Sequence, residues 1–460
     1  MSNKLVMARH ISRRYFSISC GRRCICWPKP DYGPMEVQRS EFMNGVKVAV
    51  ARPMGHQIAA CTIMYEVGSR DESDDQLGAT HFIRACANGS GCGYSSFAKM
   101  RTLQQLGGYV TCTSDRQTIA FTLRCPLTTF PELKHYLMDM AVRGCYNQWE
   151  VDDRKPIIRD QLAAMPPEQR VLDMVQRASW TGPLSHSIFC EEERVGPMTE
   201  DSLNCFAYTQ FKTNRCTVAS LGLPFEETLK MAESIEFRRD RPSVSCPAVS
   251  CPRGGFELHD LGPGSDTWIA VAVPGCGTCD LACLMKHALV AAACGTGNSQ
   301  AGQHLLDRIP QTPLGLMAGA DVFTEYKAFN ISYKETGVFG ILAKTRACTA
   351  RDVALAAAEF LANVGDLDFK QIEVGKNRLK LSLAQHDERC ELVSEGLALQ
   401  LASGVQLDSA TNSLAIINNI CPDEVKCTAG VIASKQAYMS VAVVGDVGAV
   451  PHDRELVCGQ

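Results

Sequence analysis

Slid against itself by about 222 residues, the chain overlays one half on the other, and this repeat constrains the fold more than any other feature. The segment Asp153–Gln161 (DRKPIIRDQ) falls on Gly375–Ala384 (GKNRLKLSLA), with basic residues over basic ones. The apolar run Arg215–Leu223 (RCTVASLGL) falls on Ala437–Asp446 (AYMSVAVVGD), and each closes at a glycine. A hairpin pattern at Tyr109–Arg124 has its counterpart in Phe329–Lys344, with slightly different spacing. The offset far exceeds the roughly 20–50-residue periods of solenoids, so the chain reads as two duplicated domains. Between the halves, Arg238–Gly255 (RRDRPSVSCPAVSCPRGG) has three prolines and a closing Gly-Gly pair, a poor helix and a poor central strand. The expected division is a domain over 41–237, a linker over 238–255 and a domain over 256–460.

Local patterns in the first half predict strands and helices in one mixed order. Gly45–Ala51 and Ala59–Gly68 are β-branched and apolar. Ala79–Ala87 has helical composition, and Ser95–Leu106 reads as a helix opened by serines and closed by Gly107-Gly108. Strands follow at Tyr109–Ser114 and Gln117–Arg124, then a Thr129-Phe-Pro-Glu132 capping box opening a helix to about Arg143. Further helices are predicted over Trp149–Ala164 and Glu168–Ser179. The fold class is therefore α+β, each domain a mainly antiparallel sheet covered by helices.

At 460 residues the chain exceeds what a single core serves. Its 45% hydrophobic and 21% charged residues are those of an ordinary globular protein. A net charge of −4 gives no general attraction to nucleic acid. No apolar run reaches the roughly 18 residues a membrane-spanning helix needs. The 23 cysteines are scattered over a chain large enough to fold without staples, and read as reduced thiols serving as small hydrophobes. The first 30 residues hold no Asp or Glu but carry Lys4, Arg9, Arg13, Arg14, Arg22, Arg23 and Lys29 among serines, as mitochondrial presequences do. Arg14, Phe16 and Ser17 mark a processing site, with the cut after Phe16. Residues 1–16 would be the presequence and 17–40 an extension.

Gly78-Ala79-Thr80-His81-Phe82-Ile83-Arg84-Ala85 resembles the inverted zinc motif of the pitrilysin and mitochondrial processing peptidase family. Active members carry His-x-x-Glu-His on a helix: two His at i and i+4 bind zinc, the Glu activates water, and a downstream Glu completes the ligands. On that pattern His81 survives, Arg84 stands at the catalytic Glu, Ala85 at the second His, and Asp160 at the downstream ligand. One His and one Asp do not make a three-ligand zinc site, and an arginine keeps its charge in proteins. The resemblance runs nearly end to end, through Met43-Asn44-Gly45-Val46, Gly68-Ser69-Arg70, Ser95-Ser96-Phe97, Leu106-Gly107-Gly108, Asn330–Tyr333 and Gly337–Gly340. Within the family it is similar to the core proteins of ubiquinol–cytochrome c reductase. That likeness implies a non-catalytic structural subunit on the matrix side of the mitochondrial inner membrane, without catalytic residues, metal or cofactor of its own. It further implies pairing with core protein 1 and the other subunits of that complex, and attachment to the membrane only through them. A presequence-binding subunit of the processing peptidase is the alternative.

Two weaker signals remain. Cys276-Gly-Thr-Cys279 with Cys283 offers CxxC spacing, but without a second CxxC or a paired His in the pattern it reads as coincidence among many cysteines. Cys294–Gly302 is glycine-rich but lacks a phosphate-binding fingerprint, and reads as a flexible connection.

Overall fold

The computed structural model describes residues 36–52, 57–236, 249–297, 312–319, 321, 323–405 and 410–452. The presequence, its processing site, most of the 17–40 extension, the first part of the linker, the glycine-rich segment from 298 onward and the last eight residues lie outside the described residues.

The first half supplies β1 (Val37–Glu41), β2 (Lys47–Ala51), β3 (Ile58–Tyr65), β4 (Tyr109–Ser114), β5 (Ile119–Pro126) and β6 (Cys216–Leu221). Its helices include α1 (Ala79–Ala85), α2 (Ser96–Gln105), α3 (Phe130–Ala141), α4 (Gln148–Ala163), α5 (Pro167–Ser179) and α6 (Glu200–Gln210). The second half supplies β7 (Phe256–Asp260), β8 (Thr267–Pro274), β9 (Thr296–Gly297), β10 (Glu325–Ser332), β11 (Gly337–Thr345) and β12 (Ser440–Gly445). Its main helices are α7 (Leu281–Cys294), α8 (Ala350–Ala362), α9 (Phe369–Asp387), α10 (Cys390–Ser403) and α11 (Pro422–Ala433).

The strands form two six-stranded sheets, ordered β1-β2-β6-β3-β5-β4 and β9-β10-β11-β8-β12-β7. Each contains one parallel pair, β2 with β6 and β7 with β12, and is otherwise antiparallel. Five strands of each sheet share one connectivity, β2-β6-β3-β5-β4 matching β7-β12-β8-β11-β10, with β1 and β9 added at opposite edges. The offset drifts from 209 residues at the first equivalent strands, which start at 47 and 256, to 224 at the last, which start at 216 and 440. The two late helices α4 and α9, starting at 148 and 369, keep an offset of 221.

Alternation along the strands gives each sheet two different faces. In the first sheet Val48, Val50, Cys61, Ile63, Tyr65, Ile119, Phe121 and Val218 face a core filled by α1, α3, α4 and α6. The alternate residues Ala49, Ala51, Ala60, Met64, Ala219 and Leu221 face α10, a helix from the second half. The second sheet mirrors this: Ile269, Val271, Phe339, Ile341 and Val443 face α7, α8 and α11. Its other face, Ala270, Ala272, Leu342, Ala442 and Val444, receives α5 from the first half. Each half thus covers one face of the other half's sheet. The small side chains on these faces let the helices lie close.

Ser95 caps α2 as expected, its hydroxyl accepting the Ala98 N–H. Thr129 does not form the expected capping box: its hydroxyl turns back to donate to the Pro126 carbonyl at 3.1 Å, and its backbone is already helical. α4 runs through Pro156 without ending.

Candidate functional site

The site is built on α1, which begins at Gly78. That residue has φ +95°, and a Cβ there would meet Cys190 Sγ at 2.5 Å, so glycine is required twice over. No side chain at the cap position serves the first turn. Instead the buried Glu72 carboxylate accepts the N–H groups of Gly78 and Thr80, both at 2.8 Å, and the Thr80 hydroxyl at 2.7 Å. This fixes the helix axis and turns His81 inward.

His81 is buried. Its Nδ1 accepts the Cys190 backbone N–H at 3.1 Å, which puts the ring proton on Nε2, and the Gln161 side chain also hydrogen-bonds the ring. Phe189 stands edge-on to the imidazole, centroids 5.7 Å apart. Arg84, one turn along the same face, donates from Nη1 to Ser114 Oγ at 3.1 Å and lays its guanidinium 5.5 Å over the Phe189 ring. Burial, then the Arg84 charge, hold the His81 imidazole at a pKa of about 4. Together with Leu162, Met165, Pro166 and Gln169, these side chains line a cleft of about 340 Å³. Its polar side chains are one imidazole, two amides and one guanidinium, and Ala85, one residue past Arg84, offers no ligand atom.

Asp160 is not part of this arrangement. It is exposed and does not line the cleft, whereas its neighbour Gln161, also exposed, lies beside His81. One residue along a helix is a rotation of about 100°. Ile158 is fully buried on α4; Gln161 lies three positions on, on the same face, whereas Asp160 lies two on and points away. That register was readable in the sequence. Phe189 and Cys190, on the loop after α5, had no signal there.

A buried neutral imidazole makes the fold acid-sensitive. The folded pKa lies below the ordinary value of 6.5, so the stability held above pH 6.5 is lost as pH falls toward about 4. The loss through this ring should be on the order of 3 kcal/mol. His81→Gln is expected to flatten that part of a urea-midpoint-versus-pH curve; an unchanged slope would assign the acid sensitivity elsewhere.

Residues 47–192 match the family Insulinase (Peptidase family M16). Over its length the chain is similar to "Cytochrome b-c1 complex subunit 2, mitochondrial" of Homo sapiens, 25% identical over 455 residues, covering 96% of this chain and 98% of that one. The Mus musculus protein of the same name is 24% identical over 466 residues, with the same coverage. "Mitochondrial-processing peptidase subunit alpha" of Solanum tuberosum is 24% identical over 433 residues, covering 92% of this chain and 85% of that one. These relatives are mitochondrial by name. Among the described residues, no helix is long and apolar enough to cross a membrane.

Proposed function

We propose that this chain is a non-catalytic structural subunit of the mitochondrial cytochrome b-c1 complex, of the core protein 2 type, in which the peptidase site serves only as packing. The observation that carries the reading is His81, whose ring is already engaged on both sides by the Cys190 N–H and Gln161. The groups around it do not fit a zinc ion. Ala85 offers no ligand, Gln161 is a neutral amide, Asp160 faces away, and the Arg84 charge stands where a water-activating carboxylate would be needed. Similarity along 96% of the chain to subunit 2 supports the placement in that complex.

On this reading the chain sits on the matrix side of the inner membrane, pairs with core protein 1, and reaches the bilayer only through its partners. Residues 1–16 act as the presequence, cut after Phe16, and the chain divides into the domains 41–237 and 256–460 about the linker.

The test is a C-terminally tagged chain in mitochondria solubilised in mild detergent and resolved on a native gel. Migration with cytochrome b is expected, and His81→Gln or Asp160→Asn should leave that migration unchanged. Migration with the processing peptidase would favour the presequence-binding alternative, and migration alone at monomer size would overturn both.

A further inference from the structure

The loop leaving β8 reads Gly275-Cys276-Gly277 and lies flat on the turn between β10 and β11. Gly275 N–H donates to Gly337 O (2.6 Å), Thr278 N–H to Tyr333 O (2.7 Å) and Cys279 N–H to Lys334 O (3.3 Å). Only glycine permits this approach: a Cβ on Gly277 would sit 2.6 Å from the Glu335 carbonyl carbon, and one on Gly337 would sit 2.3 Å from Cys276 O. Cys276 is thereby fixed and buried. Asp280 caps α7 through the Cys283 N–H at 3.1 Å, starting the helix so that Cys283 and His287, four residues apart, share a face.

The result is a cluster of three soft donors. The ligand atoms of Cys276, Cys283 and His287 all lie within 4.8 Å of one another, the only such group of metal-binding side chains among the described residues. Cys283 Sγ and His287 Nδ1 are 3.5 Å apart. His287 is only 3% exposed; its Nδ1–H donates to Cys283 O at 2.9 Å, which leaves Nε2, buried and without a hydrogen-bond partner, as the nitrogen with a lone pair for a metal. Lys435 donates to Pro274 O and Gly275 O beside the cluster. Two thiolates cancel the charge of a dication, so this ammonium adds no net repulsion.

We propose that Cys276, Cys283 and His287 form a binding site for a thiophilic divalent cation of the Zn²⁺ type, with the fourth position left to water or to the exposed Cys279. On binding, the two thiols release their protons to solvent and the imidazole binds neutral. The site belongs to the second half of the chain and is separate from His81. A Cys276–Cys283 disulfide is the other chemistry two neighbouring thiols allow, but it would leave His287 without a role and needs an oxidant.

The full chain, purified under reductant and incubated with Zn²⁺ and then dialysed, is expected to retain one zinc per chain by elemental analysis. Co²⁺ in its place should give a thiolate charge-transfer band. Cys283→Ser and His287→Ala should each weaken Zn²⁺ binding at least ~100-fold in a chelator competition. His287→Cys, which keeps a soft ligand, should retain the ion and guards against a simple folding defect. His81→Gln should change nothing. Absence of stoichiometric zinc, its retention in both Cys283→Ser and His287→Ala, or a Cys276–Cys283 disulfide found by non-reducing peptide mapping of chain alkylated directly in mitochondria would each overturn the site. Zinc lost on His81→Gln would overturn this site and the non-catalytic reading together, whereas zinc lost only with Cys283 or His287 leaves that reading standing.

Discussion

Replacing Arg116 by alanine is expected to lower the stability of the chain by about 3–5 kcal/mol, the usual cost of stranding one member of a buried ion pair. Arg116 lies in the turn between β4 and β5 and is 1% exposed. Its Nη2 meets Asp173 Oδ1 at 2.6 Å and Asp173 O at 3.1 Å, Nη1 donates to Gln176 Oε1 at 3.0 Å, and Nε donates to Leu184 O at 3.1 Å. The Asp173 carboxylate is held from its other side by the Ser187 hydroxyl at 2.6 Å, and Tyr333 from the second half donates to Gln176 Oε1. Every charged group here is paired, so the pair is tolerable buried and costly to break. Arg116→Ala leaves the Asp173 charge with only the hydroxyl and a weak backbone contact. Arg116→Met combined with Asp173→Asn removes both charges and is expected to recover more than half of the loss. Urea unfolding of the single and double variants decides this, and a single-variant loss below 1 kcal/mol would show that water reaches the pair.

How much of this could be read before the structure differs sharply between levels. The duplication was legible because strand alternation and glycine stops are local, and both copies kept them: Arg215–Leu223 and Ala437–Asp446 did become β6 and β12. That His81 and Arg84 share one helix face was legible because they sit within one helical turn. That Gln161 and not Asp160 lies beside His81 follows from helical register, which the buried Ile158 sets and a linear count ignores. The capping box failed because Thr129 had a nearer carbonyl to serve. The cysteine cluster was legible only in part: Cys276 and Cys283 were noted and set aside as coincidence, and His287, four residues past Cys283, was not counted with them. Its spacing is not that of a zinc knuckle, and Cys276 reaches Cys283 and His287 only because two glycines let one loop lie on another. The CxxC spacing itself was read as coincidence, and Cys279 is exposed and stays outside the group of three.

The exchange of helices between halves was equally hidden, since an apolar stripe says that a helix is buried and not which sheet buries it. It also yields the strongest expectation. α10 sets Val393, Leu397, Ala398 and Ala402 on the first sheet, where Ser394 Oγ lies 2.8 Å from Thr62 Oγ1 and donates to Ala219 O at 3.1 Å. Thr122 Oγ1 donates to Glu395 Oε1 at 2.8 Å on the same face. α5 sets Val171, Met174 and Val175 on the second sheet, followed by Trp180. Each buried Val, Leu or Met in these contacts is worth ~1.5–3 kcal/mol, so either half alone would expose a sheet face and an apolar helix and forfeit several such terms at once. Cutting the chain once within 238–255 is therefore expected to leave the halves together through gel filtration, parting only in denaturant. Residues 41–237 expressed alone should be insoluble or lack near-ultraviolet circular dichroism, and co-expression with 256–460 should restore a soluble pair. A soluble, cooperatively unfolding 41–237 fragment would mean that the first sheet closes its own second face, and that the exchanged helices hold the halves in register without being needed to fold them.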